Sequence, residues 1–582
     1  MTAFLSATDA GSGGFPLPAP RFHRDVERPE AGSRKPEAVQ QEKRTPPVVA
    51  IRNATIGLDA ATTLERASIV LRGGFVEAVG VEVALPPDAE ILDGTGLYLY
   101  PGFLDGLTAA GLGETKRTPE ERRKAEATPA DFTAEVLGGM ESANRKGIRP
   151  EFRAADVLVF GEEDLRKHHR GGFSGAHVAA QEEFLGGSAA LVALNGGTRR
   201  EIIVRARTGL AGSFRTYGDG YPSVSMGFMA HLRQVFFDAQ RLRELKARYD
   251  KEPVGRPRPP ADPSLEALWP LLDRQVPLFM EANTAGEIDR ALALAAEFKL
   301  DLVITGGREA GLMADRLKAA GVPAILNLKF PREPKRPAKP PAGPRKEGEP
   351  EEIPKPRKQY EDEKREWERR VRGAIALHEA GIPFAFSTAG LEDPSAALRQ
   401  VAKLVSRGLP RDAALRALTS APAAILRAEA AYGRLAPGRP ANLTVLTAPL
   451  GAPDARARFV FADGMKFDLE PGAKGDPAPE IDLNGVWNLT VEKSDAGPLK
   501  ISAALTQKGR DLSGAITASN FGDGAITVGR VTGRTFTFFA KINVEGEVTE
   551  LEIRGELKEG GMEGKISGPY GDDLPWKGRK PQ

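Results

Sequence analysis

Strand-like and helix-like segments alternate in the chain from about residue 277, and this order constrains the fold more than any other feature. Pro277-Leu-Phe-Met-Glu-Ala is a short apolar segment, and Thr284 with Glu287 forms a capping box at the start of an amphipathic helix. A strand, a helix and another strand follow between residues 301 and 328. Strands joined in this way by crossover helices lie parallel in one sheet. The pattern predicts an α/β fold with a (β/α)₈ barrel over residues 101–431, whose sites lie at the carboxyl ends of the strands.

Short alternating segments with Gly, Asn or Asp turns flank this region on both sides. They predict a small antiparallel sheet in residues 48–100, and short strands of similar composition return after Gly433. Residues 478–582 contain many more such segments and predict a separate antiparallel domain, either a β-sandwich or a small barrel. Gly485-Val-Trp487 within it resembles the opening of lipocalin-like barrels. Phe536 and Phe538, which alternate with threonines, are expected in its core.

Two segments are predicted to lie outside the packed domains. Residues 1–47 lack apolar periodicity and are interpreted as a flexible leader without the basic start and apolar core of a secretion signal. Residues 331–359 carry nine prolines, nine basic and five acidic residues, so we expect a surface insertion in the barrel. The run from Tyr360 to His378 is predicted to form a charged helix.

Composition excludes several classes of protein. A formal charge of +2 argues against nucleic acid as a partner, and no apolar run reaches the roughly 18 residues of a membrane-spanning helix. The absence of cysteine excludes disulfides, thiolate metal sites and iron–sulfur clusters. No two of the six histidines are spaced H-x-H or H-x-x-x-H, so histidine-rich metal chemistry has little support.

Several passages, in order, resemble the amidohydrolase superfamily over about residues 48–470. They are AEILDGTGLYLYPGFLDGLT (89–108), TSAPAAIL (419–426), GRLAPGRPANLTVL (433–446) and FVFADGMKF (459–467). The resemblance implies a barrel that carries out metal-dependent hydrolysis of non-peptide C–N bonds. It also implies one composite β-sandwich built from residues 48–100 and 432–470.

The resemblance further implies that the family's metal ligands are missing. Leu107 and Ala109 stand where the family has its H-x-H pair, and Ala389 stands where it has the aspartate that activates water. Of the ligand positions, only Glu281 keeps a side chain that can bind a metal. We therefore expect no metal cofactor and a pocket at the degenerate positions. The pocket residues are Leu107, Ala109, Glu281, Asn283, Thr305, Gly306, Thr388 and Ala389.

One branch of the superfamily is more similar still. Residues 221–240, 281–310 and 317–334 resemble imidazolonepropionase-like bacterial envelope proteins, in which the metal histidines are commonly missing. Such domains often occur beside, or fused to, an intact amidohydrolase. The resemblance implies a non-catalytic subunit or binding protein, a paralogous active amidohydrolase as partner, and a homo- or hetero-oligomer. It also implies a periplasmic or otherwise extracytoplasmic location.

The alternative is an active hydrolase of amide or cyclic-amide bonds. It would use an atypical site around Glu281 and His177, with zinc or another divalent metal held by unusual carboxylates. Against this, Glu281 is equally well explained by an ion pair with Arg290 or another local base, and His177 by an interior position with both nitrogens bonded. The adjacent His168 and His169 lie in a charged stretch and are expected at the surface.

Overall fold

The computed structural model describes most of the chain. The described residues are 46–113, 139–140, 145–181, 183–215, 222, 224–330, 334, 356–469, 478–491, 499–518, 522–544, 547–559, 561–568 and 571–581. The predicted leader, apart from its last residues, and most of the insertion at 331–359 lie outside them. Within the described residues, no helix combines the length and the apolarity needed to cross a membrane.

The strands are numbered in chain order. They are β1 (Val49–Gly57), β2 (Thr63–Arg72), β3 (Phe75–Gly80), β4 (Glu90–Asp93), β5 (Tyr98–Pro101), β6 (Phe103–Thr108), β7 (Phe173–Val178), β8 (Leu185–Ala193), β9 (Ile203–Ser213), β10 (Leu278–Ala282), β11 (Leu302–Gly306), β12 (Ala324–Asn327), β13 (Phe384–Ser387), β14 (Leu443–Leu446), β15 (Ala457–Ala462), β16 (Met465–Asp468), β17 (Gly485–Val491), β18 (Leu499–Lys508), β19 (Asp511–Ala518), β20 (Gly522–Thr532), β21 (Thr535–Val544), β22 (Glu547–Lys558), β23 (Gly561–Gly568) and β24 (Gly571–Arg579).

The α-helices are numbered in the same way, and short 3₁₀ helices occupy Ala310–Met313 and Pro394–Ala396 among the described residues. The α-helices are α1 (Ala154–Val157), α2 (Glu162–Arg170), α3 (Arg199–Ile202), α4 (Ser225–Lys251), α5 (Pro263–Glu266), α6 (Trp269–Leu272), α7 (Ala285–Phe298), α8 (Ala314–Ala320), α9 (Arg357–Val371), α10 (Gly373–Glu379), α11 (Ala397–Ser406), α12 (Arg411–Leu418) and α13 (Ser420–Ile425). The single charged helix expected from Tyr360 to His378 is thus two helices, α9 and α10.

Strands from two distant parts of the chain form one sheet. Its order is β16-β15-β14-β5-β1-β2-β3, and β4 also pairs with β1. The link between the two parts is the antiparallel pair of β14 and β5, in which Val445 lies opposite Leu99. Both residues are buried in a common apolar cluster. The two flanking regions therefore contribute to one continuous eight-stranded sheet, where a composite β-sandwich was predicted.

The central sheet is an almost closed barrel of eight strands in chain order, from β6 to β13. Strand β8 runs antiparallel to both β7 and β9, whereas the other neighbouring strands pair in parallel. The α/β barrel is confirmed, but the regular alternation of a (β/α)₈ barrel is only partly present. The connections at 179–184 and 194–202 are too short for a parallel crossover, which needs about a dozen residues or more.

A buried carboxylate joins the first and last barrel strands. Asp105 Oδ1 accepts hydrogen bonds from the backbone N–H of Thr388 at 2.9 Å and of Leu107 at 3.3 Å. Its Oδ2 accepts a bond from the hydroxyl of Thr388. The backbone N–H of Ala389 also donates to the carbonyl of Leu107. These contacts hold β6 against β13 and bring the carboxyl ends of the strands to one mouth.

Local sequence signals set several helix ends around the barrel. The Thr284–Glu287 capping box that starts α7 is present as predicted, with both reciprocal bonds formed. Asp262 caps α5, whose first residue is a proline. Helix α8 ends at Gly321, where a φ of 64° is one that glycine adopts without strain.

The C-terminal segment is a closed antiparallel barrel of eight strands, β17 to β24. Of the two predicted alternatives, the small barrel is therefore the one that forms. Phe536 and Phe538 lie in its core, as expected, together with Trp487 and Trp576. The indole N–H of Trp487 donates to the carbonyl of Leu483, so its polar atom is satisfied inside the barrel.

Ion pairs attach this barrel to the rest of the molecule. Arg407, just after α11, binds Glu550 at 2.7 Å, and Arg399 on α11 binds Glu552 at 3.0 Å. Both glutamates are less than one-tenth exposed. A buried carboxylate that loses its cation is strongly unfavourable, so these pairs hold the two parts in one arrangement.

We expect Arg407→Ala to lower the free energy of unfolding by about 3 kcal/mol, because it leaves the buried Glu550 carboxylate without its cation. It also removes the guanidinium from the face of Trp367. Chemical denaturation followed by tryptophan fluorescence measures the change. Arg416→Ala is the matched control, since Arg416 pairs with Asp412 on the exposed surface and should cost less than about 1 kcal/mol. Equal losses in both variants would contradict this account of the attachment.

Candidate functional site

Glu281 lies at the end of β10 and is held by two neighbours at the barrel mouth. Arg215, two residues after β9, donates to both of its carboxylate oxygens, at 2.8 and 3.1 Å. The side-chain amide of Asn283 donates to Oε1 at 3.0 Å. Glu281 therefore forms its ion pair with Arg215 and not with Arg290. Both carboxylate oxygens already accept charge-assisted bonds, which weakens Glu281 as a metal ligand.

The backbone after β10 is fixed by the cap of α7. Glu287 Oε2 accepts from the backbone N–H of Asn283 at 2.6 Å and from that of Thr284 at 3.1 Å. The side chain of Asn283 is thereby held over Gly306, with its Oδ1 only 2.6 Å from where a Cβ on that glycine would lie. This Oδ1 is buried and accepts no hydrogen bond from any described residue. One acceptor of Asn283 is thus without a donor among the described residues.

A cavity of about 410 Å³ opens at the mouth between the ends of β9 to β13. Its polar lining consists of three cations, two carboxylates and two amides. These residues are Arg215, Arg308, Lys329, Glu281, Glu287, Asn283 and Asn327. Arg308 and Lys329 are exposed, and neither forms an ion pair within the described part of the chain. The described lining of the mouth therefore contains one more cation than carboxylates.

Several of these cavity residues were not predicted from the sequence. Arg215, Arg308 and Lys329 each lie two residues beyond the end of a barrel strand, and Asn327 ends β12. That position relative to the strand was a signal that could have identified them. Metal ligands in this fold are histidines and carboxylates, so the basic side chains at equivalent places were not among the predicted site residues.

The barrel interior beneath the mouth is filled with apolar side chains. Leu107 is 4% exposed and belongs to a cluster that includes Phe279, Val303 and Ile325. Ala109 is exposed beyond the end of β6. At the two positions where the family has its H-x-H pair, this chain thus has a packed aliphatic side chain and a methyl group. Neither offers an atom that can coordinate a metal.

His177 lies inside the barrel on β7, and both of its ring nitrogens are bonded. Nδ1 is 2.8 Å from the carbonyl oxygen of Gly106, and Nε2 is 2.8 Å from the hydroxyl of Thr208. Its ring lies against that of Phe279, with centroids 4.6 Å apart. Burial lowers the pKa of His177 to about 4, which keeps the ring neutral. The structure does not bring it to the cavity that Glu281 lines.

The expectation that His168 and His169 lie at the surface was wrong, because both are buried between α2 and the strands. His168 Nδ1 is 2.7 Å from the carbonyl of Asp164, and its Nε2 lies 3.7 Å from Asp105 Oδ2. His169 Nε2 is 2.8 Å from the carbonyl of Leu194. The other residues of the short helix α2 are mostly charged, so its sequence did not indicate that one face is buried.

The remaining predicted positions occupy the ends of β11 and β13. Thr305 is buried within its strand, and Gly306 has a φ of 80°. Thr388 donates hydrogen bonds to Asp105, and Ala389 lines the cavity. Lys329 passes close to Gly390, with its Cδ 3.5 Å from where a Cβ would lie. A basic side chain thus lies beside the place where the family has an aspartate.

In the part of the chain that the structure describes, no group of three or more His, Cys, Asp or Glu side chains is arranged to hold a metal ion. Glu281 and Glu287 are both engaged, and three cations surround them. The residues present therefore do not fit the divalent metal that the sequence resemblance implies for its family.

The structure is similar to that of an amidohydrolase from Thermotoga maritima, with a TM-score of 0.56 and 23% sequence identity over 72% of this chain and 100% of that one. The chain has the amidohydrolase fold. Weaker likenesses include a Xaa-Pro dipeptidase with bound methionine in its active site (14% identity, 72% of this chain and 100% of that one, TM-score 0.41) and a molinate hydrolase (14%, 76% and 100%, 0.40). No protein-family model and no curated protein sequence matches. The amidohydrolase resemblance read from the sequence is thereby confirmed in the fold.

The buried ionisable groups of this amidohydrolase fold predict how its stability depends on pH. Burial lowers the pKa of His169 and His177 from 6.5 to about 4, so their contribution to stability is complete above pH 6.5 and lost as pH falls towards 4. Burial raises the pKa of Asp105 from 3.8 to about 6, so its contribution is lost as pH rises through 6. The stability that the two histidines lose on acidification is larger than the stability that Asp105 gains. The free energy of unfolding should fall by a few kcal/mol, to order of magnitude, between pH 6.5 and 4.

His177→Gln tests this balance, because it removes one of the two histidines that oppose Asp105. Urea titrations at several pH values should give a shallower pH dependence for His177→Gln than for the unaltered protein. His378→Gln, on the partly exposed face of α10, is the control for the substitution itself. A slope that His177→Gln does not alter would contradict the assignment, whatever its effect on absolute stability.

Proposed function

We propose that this protein is a non-catalytic member of the amidohydrolase fold that binds a small molecule at its barrel mouth. The observation that carries the proposal is the bidentate pairing of Glu281 with Arg215, among the cations Arg308 and Lys329. A hydrolytic centre of this family needs carboxylates and imidazoles free to hold a cation and to activate water. Here the single carboxylate at a ligand position is neutralised, and the surrounding charge repels a divalent metal.

The alternative is an active hydrolase of amide or cyclic-amide bonds that uses Glu281 and His177. The geometry gives it less support. Both nitrogens of His177 are bonded inside the barrel, and its neutral ring packs at an angle of 58° against the ring of Phe279. A general base must reach the water that it deprotonates, and the ring would have to break two buried hydrogen bonds to do so.

A role beside an active paralogous amidohydrolase is part of the proposal, supported by sequence resemblance. The same holds for a homo- or hetero-oligomeric state and for an extracytoplasmic location. Copurification of the chain with an intact H-x-H amidohydrolase from the same genome tests the partnership, and a chain that purifies without it at matched expression would contradict it.

Metal analysis tests the absence of a catalytic centre. The full chain, equilibrated with zinc or manganese and then desalted, should retain far less than one metal ion per chain by mass spectrometry. It should also fail to hydrolyse amide and cyclic-amide substrates with either metal present. Arg215→Gln frees the Glu281 carboxylate and should increase zinc retention relative to the unaltered chain, although one carboxylate remains too few for tight binding.

Lys318→Met, which removes a distant surface cation from α8, serves as the control for Arg215→Gln. It should leave zinc retention unchanged. Near-stoichiometric metal in the unaltered chain, together with turnover that a chelator abolishes, would overturn the proposed function.

A further inference from the structure

A row of three cations on α11 lies where the C-terminal barrel is attached. Arg399, Lys403 and Arg407 are spaced four residues apart, so they lie along one face of the helix and its end. Arg399 pairs with Glu552 at 3.0 Å, and Arg407 pairs with Glu550 at 2.7 Å. Lys403, between them, forms no ion pair with any residue that the structure describes. The middle cation of the row therefore has no carboxylate of its own.

Glu550 is already engaged by other donors. Its Oε2 accepts a hydrogen bond from Nε of Arg407 at 2.7 Å, and its Oε1 accepts one from the hydroxyl of Ser406. The side chain of Glu550 is less than one-tenth exposed, so water adds little to these bonds. Each oxygen of this carboxylate thus has a donor other than Lys403.

Glu552 is shared between two arginines in a similar way. Its Oε2 accepts from Arg399 at 3.0 Å, and its Oε1 lies 3.5 Å from Nε of Arg554, which also pairs with Asp573 at 2.6 Å. Four cations therefore meet three carboxylates at this attachment. The cations are Arg399, Lys403, Arg407 and Arg554, and the carboxylates are Glu550, Glu552 and Asp573. Lys403 is the cation in excess.

The surroundings of Lys403 favour its neutral amine. Burial lowers the pKa of its ammonium below the ordinary 10.5, and the two flanking arginines lower it further, whereas Glu552 and Glu550 oppose the shift. A lysine that is desolvated beside other cations is a nucleophile, because its neutral amine has a free lone pair. Lys403 is only partly buried and its Nζ keeps contact with solvent, so a small reagent reaches it.

We propose that Lys403 is a modification site at which small acyl phosphates acylate Nζ. The neutral Nζ attacks the acyl carbon, a C–N bond forms, the C–O bond to phosphate breaks, and the proton of the amine passes to the leaving phosphate or to water. The product is a neutral amide, so three cations then meet three carboxylates. Lys403 does not line the cavity at the barrel mouth, and the modification is separate from the ligand-binding role proposed above.

Acetylation of the full chain by acetyl phosphate tests the assignment. Peptide mass spectrometry gives the rate at Lys403 over a series of pH values, and Nα-acetyl-lysinamide in the same solution is the reference amine. The rate at Lys403 should reach half of its maximum at a lower pH than the rate of the reference, because only the neutral amine reacts. Comparing each amine with its own maximum removes the effect of access. Coincident pH profiles, or no acetylation of Lys403 at any pH, would overturn the proposal.

Arg399→Met tests the role of the cation row. It removes one neighbouring cation and frees an oxygen of Glu552 for Lys403, so acetylation of Lys403 at pH 7 should slow about tenfold. Arg416→Met, the same change on α12 where Arg416 pairs with Asp412 at the surface, is the matched control and should leave the rate unchanged. An unchanged rate in Arg399→Met would contradict the assignment. Thermal unfolding checks that both variants fold, and the pH profile of the unaltered chain decides the question if Arg399→Met does not.

Discussion

The hydrogen bonds of the buried Asp105 carboxylate are the interaction on which the barrel depends. They join β6 at the start of the barrel sequence to Thr388 at the end of β13, across nearly three hundred residues. A carboxylate removed from water is unfavourable unless it is hydrogen-bonded, and its three bonds to backbone and hydroxyl donors offset part of that cost. Because the first and last strands are held together, the ends of β9 to β13 surround one cavity.

The filling of the same barrel explains why the described lining of the site differs from a metal centre. Metal ligation in this fold needs side chains that project from strand ends with free lone pairs. Here Leu107 extends the apolar filling of the barrel up to the mouth, and Glu281 is occupied by Arg215 and Asn283. Basic residues lie just beyond the ends of three strands and contribute positive charge to the cavity lining.

Local signals made much of the fold predictable. The Thr284–Glu287 cap and the apolar segments beside it act within a few residues, so α7, β10 and β11 follow from the sequence. The direction of β8 did not follow from the sequence, because an apolar segment looks the same whether its neighbouring strands are parallel or antiparallel to it. The short connections on either side decide it. The burial of His168 and His169 was also missed, since charged neighbours on α2 conceal its inner face.

The sequence by itself determined which atoms are absent: no thiol anywhere, no imidazole at Leu107 or Ala109, and no carboxylate at Ala389. Through periodicity that acts over short distances, it also indicated the strands on both sides of the barrel and the α/β barrel between them. Only the tertiary structure decided which side chains meet. Arg215 and Glu281 are 66 residues apart, and Arg308, Lys329 and Arg370 come from three different elements. Their convergence follows from the pairing of parallel strands, and no local pattern encodes which strand ends become neighbours.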